Sequence, residues 1–553
     1  MENKMLNADQ ESIVKNYNFT PSNEKLRFTS IVILSYNQLA YTKLCIESIK
    51  KFTPQDSYEI IVVDNNSTDG SVDWLKTQSD FRVIYNDENK GFPAGCNQGI
   101  QISKGENILL LNNDTIVTPN WLNNMQKALY SKAQVGGVGA VSNSCSNYQQ
   151  IDCNYNSIEE MLDFAAKYNI SNSELWKLKS KLIGFCFLIK RDVFANVGLL
   201  DERFSPGNFE DDDFSYRMIC NGYSLLLCQD TFIHHFGSVS FKQNSASFVN
   251  VYMENSLKFK EKWGFDAGYS SFVRPEIINL VTDDINKKIN VLDVGCGIGA
   301  TLLEIKNKYK NATLYGIEIS PYSGRVAQNI CNCIIGNIEN EVLSYEENFF
   351  DYIILGDVLE HLVDPWKIIY DLKKYLKQDG YIIASIPNIM HISVLRKLLN
   401  GSFSYTESGI LDKTHLRFFT LAETQNLFNS NEYDIESTKA SVVPIDKNDE
   451  EFVDTLCKMY GEEFKQQYTA YQYIVKAKPK LDLYVFENDD VYNLRKALLN
   501  LDYKKDIEKS LNIIKEFYKI NLTSFEFYIN YLINNTVINK DYVLNLILDN
   551  IKS

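Results

Sequence analysis

Two stretches of this chain set acids, asparagines and histidines at the ends of apolar runs, where chemistry can be done. In the first, IIVVDNNSTDGS ends in Asp64 and ENILLLNNDTIV ends in Asn112, Asn113 and Asp114. The carboxyl ends of strands line the ligand crevice of open α/β sheets. At such a place Asp64 can accept hydrogen bonds from a heterocyclic base or simply cap its own turn. Asp114 can hold Mg²⁺ or Mn²⁺ against a diphosphate, or cap a turn in the same way. Ser35 and Asn37 close SIVILSYNQ, and Gly91 and Asn97 lie in NKGFPAGCNQGI, whose glycines let backbone approach a ligand or a helix. Together with Asp64 and Asn112 they are the candidate substrate contacts.

Further on, GNFEDDDFSYR carries Glu210, Asp211, Asp212 and Asp213 into a predicted helix, whose N-terminus favours negative charge. Adjacent residues cannot all face one pocket, so one or two of the four do chemistry, and Asp212 reads as a solvated cap. His234 and His235, two of the five histidines, follow an apolar strand. One of them suits a metal; the other suits the core or a supporting position.

The second stretch opens with NVLDVGCGIGATLLEI: an apolar strand, a glycine turn at Gly295, Gly297 and Gly299, and a helix. GCGIGA alone also satisfies the loose dinucleotide pattern, so NAD is a competing ligand. Asp293 before the glycines and Glu318 at the next strand end favour a cationic sulfonium cofactor over an anionic dinucleotide. FDYIILGDVLEHLVDP then supplies Asp357 and His361, and GILDKTHLRFFT supplies His415. The two histidines are candidates to take a proton or are held structurally, and His391 reads as structural.

These residues need strand ends to stand on, and the chain provides them twice. Apolar runs at 30–36, 59–63, 82–85 and 107–111, and again at 291–294, 313–317, 352–355 and 381–385, alternate with longer mixed segments, the pattern of parallel sheets with crossover helices. Residues 249–263 read as a helix and 264–269 as a seam. After Lys478 the chain turns to Leu, Ile, Tyr and Asn at helical spacing. This predicts a small helical region that docks on the catalytic domains or a partner, with peripheral membrane contact the weaker expectation.

At 553 residues the chain needs several cores. Its net charge of −15 argues against a nucleic-acid partner. Eleven scattered cysteines argue against a disulfide framework and point to a reducing cytoplasm; Cys331 and Cys333 read as core packing in a strand.

SIVILSYNQ, VVDNNSTDGS, GFPAGCNQGI, LNND, FEDDD and HHFGS, in this order, resemble the family 2 glycosyltransferases of GT-A fold, in particular the rhamnosyltransferase-like branch. The resemblance implies transfer of a sugar with inversion from a dTDP- or UDP-linked donor to a glycan, lipid-linked or glycoprotein acceptor. It places Asp64 on the base, Asp114 and a histidine on the metal, and Asp211, beside Glu210, as general base. Asn112 stands where the family's Asp-any-Asp motif has its first acid, so the metal leans on Asp114, the histidine and the diphosphate.

The second stretch resembles class I S-adenosylmethionine-dependent methyltransferases of Rossmann type. That likeness implies Asp293 and the glycines on the methionine part, Glu318 on the ribose, and Asn337 and Ile338 beside the adenine. Asn337 stands where an aspartate is usual.

The expected layout is an extension at 1–26, a GT-A domain at 27–265, a methyltransferase at 270–478 and a helical region at 479–553. The expected activity is sugar transfer coupled to O-methylation of the product or acceptor. The competing expectation is one catalytic domain, with the other a binding scaffold in a glycan-assembly complex.

Overall fold

The protein is described by a computed structural model covering residues 10–21, 24–237, 245–480, 488–520 and 525–551. It divides into two units, Met1–Asn340 and Glu341–Ser553.

In the first unit the strands are β1 (Thr29–Ser35), β2 (Tyr58–Asp64), β3 (Arg82–Tyr85), β4 (Asn107–Asn112), β5 (Thr115–Ile116), β6 (Val135–Val141), β7 (Trp176–Lys179), β8 (Cys186–Lys190), β9 (Ser224–Phe232) and β10 (His234–His235). Eight of them form one sheet in the order β3-β2-β1-β4-β8-β6-β9-β7, and β5 pairs with β10. β1, β2, β3 and β4 run parallel, while β8 is antiparallel to both β4 and β6. Ile31, Val32 and Ile33 of β1 are buried, as expected of a strand covered on both faces. The first four predicted strands fall on β1 to β4 within two residues. β6, VGGVGAV, lacks an apolar alternation because its glycines make room for neighbours. A Cβ at Gly137 would lie 2.6 Å from the Phe187 ring, and one at Gly136 would lie 2.9 Å from Met218 Cε.

Helix Glu210–Cys220 begins after two left-handed residues, Asn208 and Phe209. It is anchored by Asp213, which is fully buried. The Asp213 carboxylate accepts from Arg217 Nε at 2.9 Å and Trp263 Nε1 at 2.8 Å, and pairs with Lys262 Nζ at 2.5 Å. Trp263 and Lys262 close the helix Ser245–Trp263, which matches the predicted one at its end.

A short helix, Ala267–Ser270, forms in the segment expected as the seam. The Ser270 carbonyl accepts the Ile298 N–H at 3.1 Å, and a Cβ at Gly297 would sit 2.6 Å from that oxygen. β11 (Asn290–Val294), β12 (Thr313–Glu318) and β13 (Asn332–Ile335) follow, all parallel, with β12 in the middle. The helix Ala300–Lys308 after the glycine turn is tied to β7. Asn307 accepts from Leu178 N–H at 2.7 Å and donates to Leu178 O at 2.9 Å, and Lys179 pairs with Glu304.

In the second unit β14 (Phe350–Gly356) is parallel to β15 (Leu376–Pro387). β17 (Ala470–Pro479) lies antiparallel between β15 and β16 (Tyr433–Val442). Four helices end the chain: Asn488–Asp502, Ile507–Ile520, Phe525–Thr536 and Lys540–Ile551. Their apolar faces close on one another through Leu494, Leu498, Ile514, Phe517, Leu532 and Val543. Arg495 of the first of these helices also donates to Ser430 O at 2.9 Å, tying the helical region to the segment before β16. Helical spacing reveals an apolar face, but not that three further faces are there to cover it. Among the described residues no helix is long and apolar enough to cross a membrane.

Removing the Asp213 carboxylate leaves half-buried Arg217 without its anion and Lys262 with Asp201 alone. Asp213→Ala is expected to cost about 1–3 kcal/mol, seen as a lower urea midpoint for the unfolding of the first unit.

Candidate active sites

β5 and β10 are two residues each, and their antiparallel pairing sets His235 opposite Thr115, next to Asp114. His235 Nδ1 lies 2.7 Å from the Ser144 carbonyl. A carbonyl only accepts, so Nδ1 carries the hydrogen and Nε2 presents its lone pair. That nitrogen stands 3.2 Å from Asp114 Oδ1 and 3.4 Å from Asn112 Nδ2, with the Phe185 ring stacked on the imidazole. An imidazole lone pair facing a carboxylate at this distance is the donor set of a cation site, held in orientation by a backbone carbonyl. Mg²⁺ or Mn²⁺ therefore fits Asp114 and His235.

His234 points to the opposite face, as neighbouring strand residues must. Its Nδ1 meets Tyr155 Oη at 2.7 Å and its ring lies edge-on to Phe236. Burial, then the neighbouring His235, push its pKa down to about 3, so it stays neutral in an aromatic core. Of the two histidines named for the metal, only His235 reaches Asp114.

The four acids of helix Glu210–Cys220 separate in the same way. Asp212 is not a solvated cap: it is buried and paired with Lys181 at 2.8 Å. Asp211 accepts from Gly184 N–H at 3.0 Å and Asp212 N–H at 2.8 Å. Burial and the charge of Asp212 push its pKa up to about 6. Glu210 is pushed well above its ordinary value by burial and by the charge of Asp211. Asp211, Glu210, Asn112 and His235 line a cleft of about 680 Å³, whose rim also includes Ser271 and Phe272.

At the end of β2, Asp64 Oδ2 caps Ser67 N–H at 3.0 Å, while the buried Oδ1 has no hydrogen-bond partner among the described residues. Asn37 fixes this loop, giving its N–H to Ser67 Oγ and accepting from Thr68 N–H, both at 2.8 Å. A buried acceptor left bare costs about 1–3 kcal/mol, so Oδ1 is free to accept a further N–H.

Three other expected substrate contacts serve the chain itself. Ser35 is fully buried beside Asp64, 3.5 Å from Thr42 Oγ1. A Cβ at Gly91 would meet Pro206 Cα and Ser205 Oγ at 2.8 Å, so the close approach there is to this chain. Asn97 spends its amide on Leu200 O, Leu200 N–H and Glu202 Oε1.

In the glycine turn Asp293 is buried at the end of β11, and burial pushes its pKa up to about 7, against the nearby Arg274. Glu318 accepts from Gly297 N–H at 2.8 Å and Ser320 N–H at 2.9 Å. Gly295 gives its N–H to Ile317 O at 2.7 Å, and Gly299 packs its bare face on Ile330. Asn337 Oδ1 accepts from Glu339 N–H at 2.9 Å, and Ile338 beside it is half-buried. The two buried carboxylates and the left-handed glycines fit a cationic cofactor carrying ribose hydroxyls.

In the second unit Asp357, left-handed at φ 53°, accepts from Ser385 Oγ at 2.6 Å. His361 and His415 stack edge-to-face at 4.7 Å, with a carboxylate oxygen of buried Glu360 close by. Burial and His415 lower the His361 pKa, so its neutral ring can accept a proton. His391 caps the helix Ile392–Leu399, the structural position expected of it. The Ser144 carbonyl and the Gly184 amide escaped sequence reading because backbone groups leave no side-chain signature. Lys181 and the rim residues 271–272 carried no motif.

Carboxylates at strand and helix ends around one cleft, and a glycine turn flanked by buried acids, stand together in one α/β chain. Residues 30–198 match glycosyl transferase family 2, and residues 266–438 match a methyltransferase domain. Glycosyltransferase GlyG of Streptococcus pneumoniae serotype 4 is 31% identical over 214 residues, 36% of this chain and 68% of that protein. Ajmaline N-methyltransferase of Rauvolfia serpentina is 33% identical over 111 residues, 18% of this chain and 37% of that protein. Among solved structures, GalNAc-T7 with UDP, GalNAc and Mn²⁺ is similar over 38% of this chain and 44% of that one, at 18% identity and a TM-score of 0.32. The chain belongs to glycosyl transferase family 2. In the same polypeptide it carries a Rossmann-like class I methyltransferase domain, so it is an enzyme with a glycosyltransferase and a methyltransferase part.

Two measurements bear on these sites. Replacing His235 with alanine is expected to weaken Mn²⁺ binding about 10- to 100-fold by calorimetry, while His234→Phe leaves it within a few-fold. Asp293, at about 7 against an ordinary 3.8, favours folding in its protonated form; that stability is full below about pH 4 and lost as pH rises toward 7. Asp293→Asn should therefore flatten the fall in Tm of the unliganded protein between those values.

Proposed function

We propose that the first unit transfers a sugar with inversion from a dTDP- or UDP-linked donor to a hydroxyl of a growing surface glycan, and that the methyltransferase domain O-methylates the product or its acceptor. Asp211 carries this reading: a carboxylate held by two backbone N–H groups, at about 6, in a cleft shared with His235 and Asn112. An acid so placed is ionised at neutral pH yet basic enough to take a proton. As the acceptor oxygen bonds to the anomeric carbon, its proton passes to Asp211 and the bond to the diphosphate breaks on the far side. A divalent cation at Asp114 and His235 would supply charge compensation for the departing diphosphate.

The bare Oδ1 of Asp64 suits the ring N–H that uracil and thymine both offer. Likeness to the rhamnosyltransferase-like branch makes rhamnose the first donor to try. For methyl transfer, S-adenosylmethionine would supply the electrophilic methyl group. Asp293 and Glu318 would hold its cationic and ribose parts, and neutral His361, supported by His415, would take the acceptor's proton. Eleven free cysteines fit work on the cytoplasmic side, where thiols are kept reduced.

Product masses after incubation with acceptor, candidate dTDP- and UDP-sugars and S-adenosylmethionine test this. A gain of one sugar and one methyl on the same molecule is expected, and methylation of unrelated metabolites alone would refute the coupling. Asp211→Asn is expected to lower kcat about 10²- to 10⁴-fold with KM little changed. The wild-type pH–rate profile should fall on the acid side near pH 6, as Asp211 protonates.

A further inference from the structure

The glycine turn contains Cys296, and the structure brings it to Cys331 and Cys333, the pair read from sequence as core packing. All three sulfurs lie within 4.8 Å of one another, with Cys296 and Cys333 4.0 Å apart. Other cysteines, such as Cys45, Cys186 and Cys228, are sealed in the core of the first sheet. We infer that Cys296, Cys331 and Cys333 form a three-thiolate site for a thiophilic cation, Zn²⁺ with a water as fourth ligand.

The spacing is the first argument. Zinc–sulfur bonds of about 2.3 Å in a tetrahedron set sulfurs roughly 3.8 Å apart, close to what these thiols show. The second argument is the cradle. Gly316 is the residue of β12 that pairs with Asp293 on one side and Cys333 on the other. A Cβ there would lie 2.7 Å from Cys296 Sγ and 3.0 Å from Cys331 Sγ. Any other residue at 316 would occupy the space in which the sulfurs meet, and glycine inside a strand marks such a close approach.

The third argument is access. Cys333 lies in β13 and Cys331 just before it, and both turn their sulfurs toward Cys296. Both are half-buried, which leaves a side for the ion and its water to enter, while Cys296 closes the site from beneath. A cation held there would clamp the turn Gly295–Gly297 to β13, on the module proposed above to bind S-adenosylmethionine.

The test uses the full chain carrying Asp114→Asn, so that the first metal centre does not contribute, purified under reducing conditions and titrated with Co²⁺ in place of Zn²⁺. One Co²⁺ per chain with an intense near-ultraviolet thiolate-to-metal charge-transfer band is expected, displaced by Zn²⁺. Cys331→Ser/Cys333→Ser and Gly316→Ala should each abolish the band or weaken binding more than tenfold. A folded chain with no such band, or a band unchanged in the double serine variant, would overturn the site. So would a reduced-purified protein two hydrogens lighter, with two of these cysteines bonded. The titration of the Asp114→Asn chain decides for or against the site even if the cysteine variants fail to fold, and it is independent of whether sugar or methyl transfer is found.

Discussion

The cleft around Asp211 depends on one buried carboxylate that is turned away from it, Asp213. Asp213, fully enclosed, gathers Arg217, Lys262 and Trp263 and thereby locks the rotation of helix Glu210–Cys220 about its axis. Successive helical residues are about 100° apart, so a residue two positions earlier looks roughly the other way. With Asp213 turned inward to its cations, Asp211 must look into the cleft, and Asp212 falls to Lys181 on the flank. Arg217 also donates to Val197 O and Leu199 O, extending the lock to the loop that Asn97 holds. Four acids in a row are tolerable because each meets a different environment.

That fan of directions shows what sequence could and could not say. Apolar runs ending in acids located β2, β4, β11 and β12, and with them Asp64, Asp114, Asp293 and Glu318, because a buried strand must surface where its polar residues begin. The order of four adjacent acids around a helix, or of two adjacent histidines on a strand, depends on which face the rest of the fold covers. For His234 and His235 that is decided by Tyr155 and Phe236 on one side and Ser144 and Phe185 on the other, residues in no common motif. Gly91 and Asn97 sat in the right segment, yet their neighbours from residues 200–206 claimed them. Cys296 lies 37 residues from Cys333, and only a parallel sheet brings them together.

Both centres hold carboxylates in an uncomfortable state. Glu210, Asp211, Asp293 and Glu318 are all pushed upward by burial as the leading cause. Each site is thus least satisfied when empty, and partners that bring a positive charge or a proton relieve it. This is a common arrangement where a fold spends stability to keep reactive groups oriented.

The short helix Ala267–Ser270 stands against both sites. Its neighbours Ser271 and Phe272 shape the rim of the sugar-side cleft, and its last carbonyl rests on the turn around Gly297 so closely that no side chain fits between. A recombination event that exchanged one catalytic half for a relative's would have to carry these few residues along, or leave one half without its wall and the other without its support. Residues 267–272 are thus a wall held in common, and neither site keeps its present shape if the other half is replaced without them.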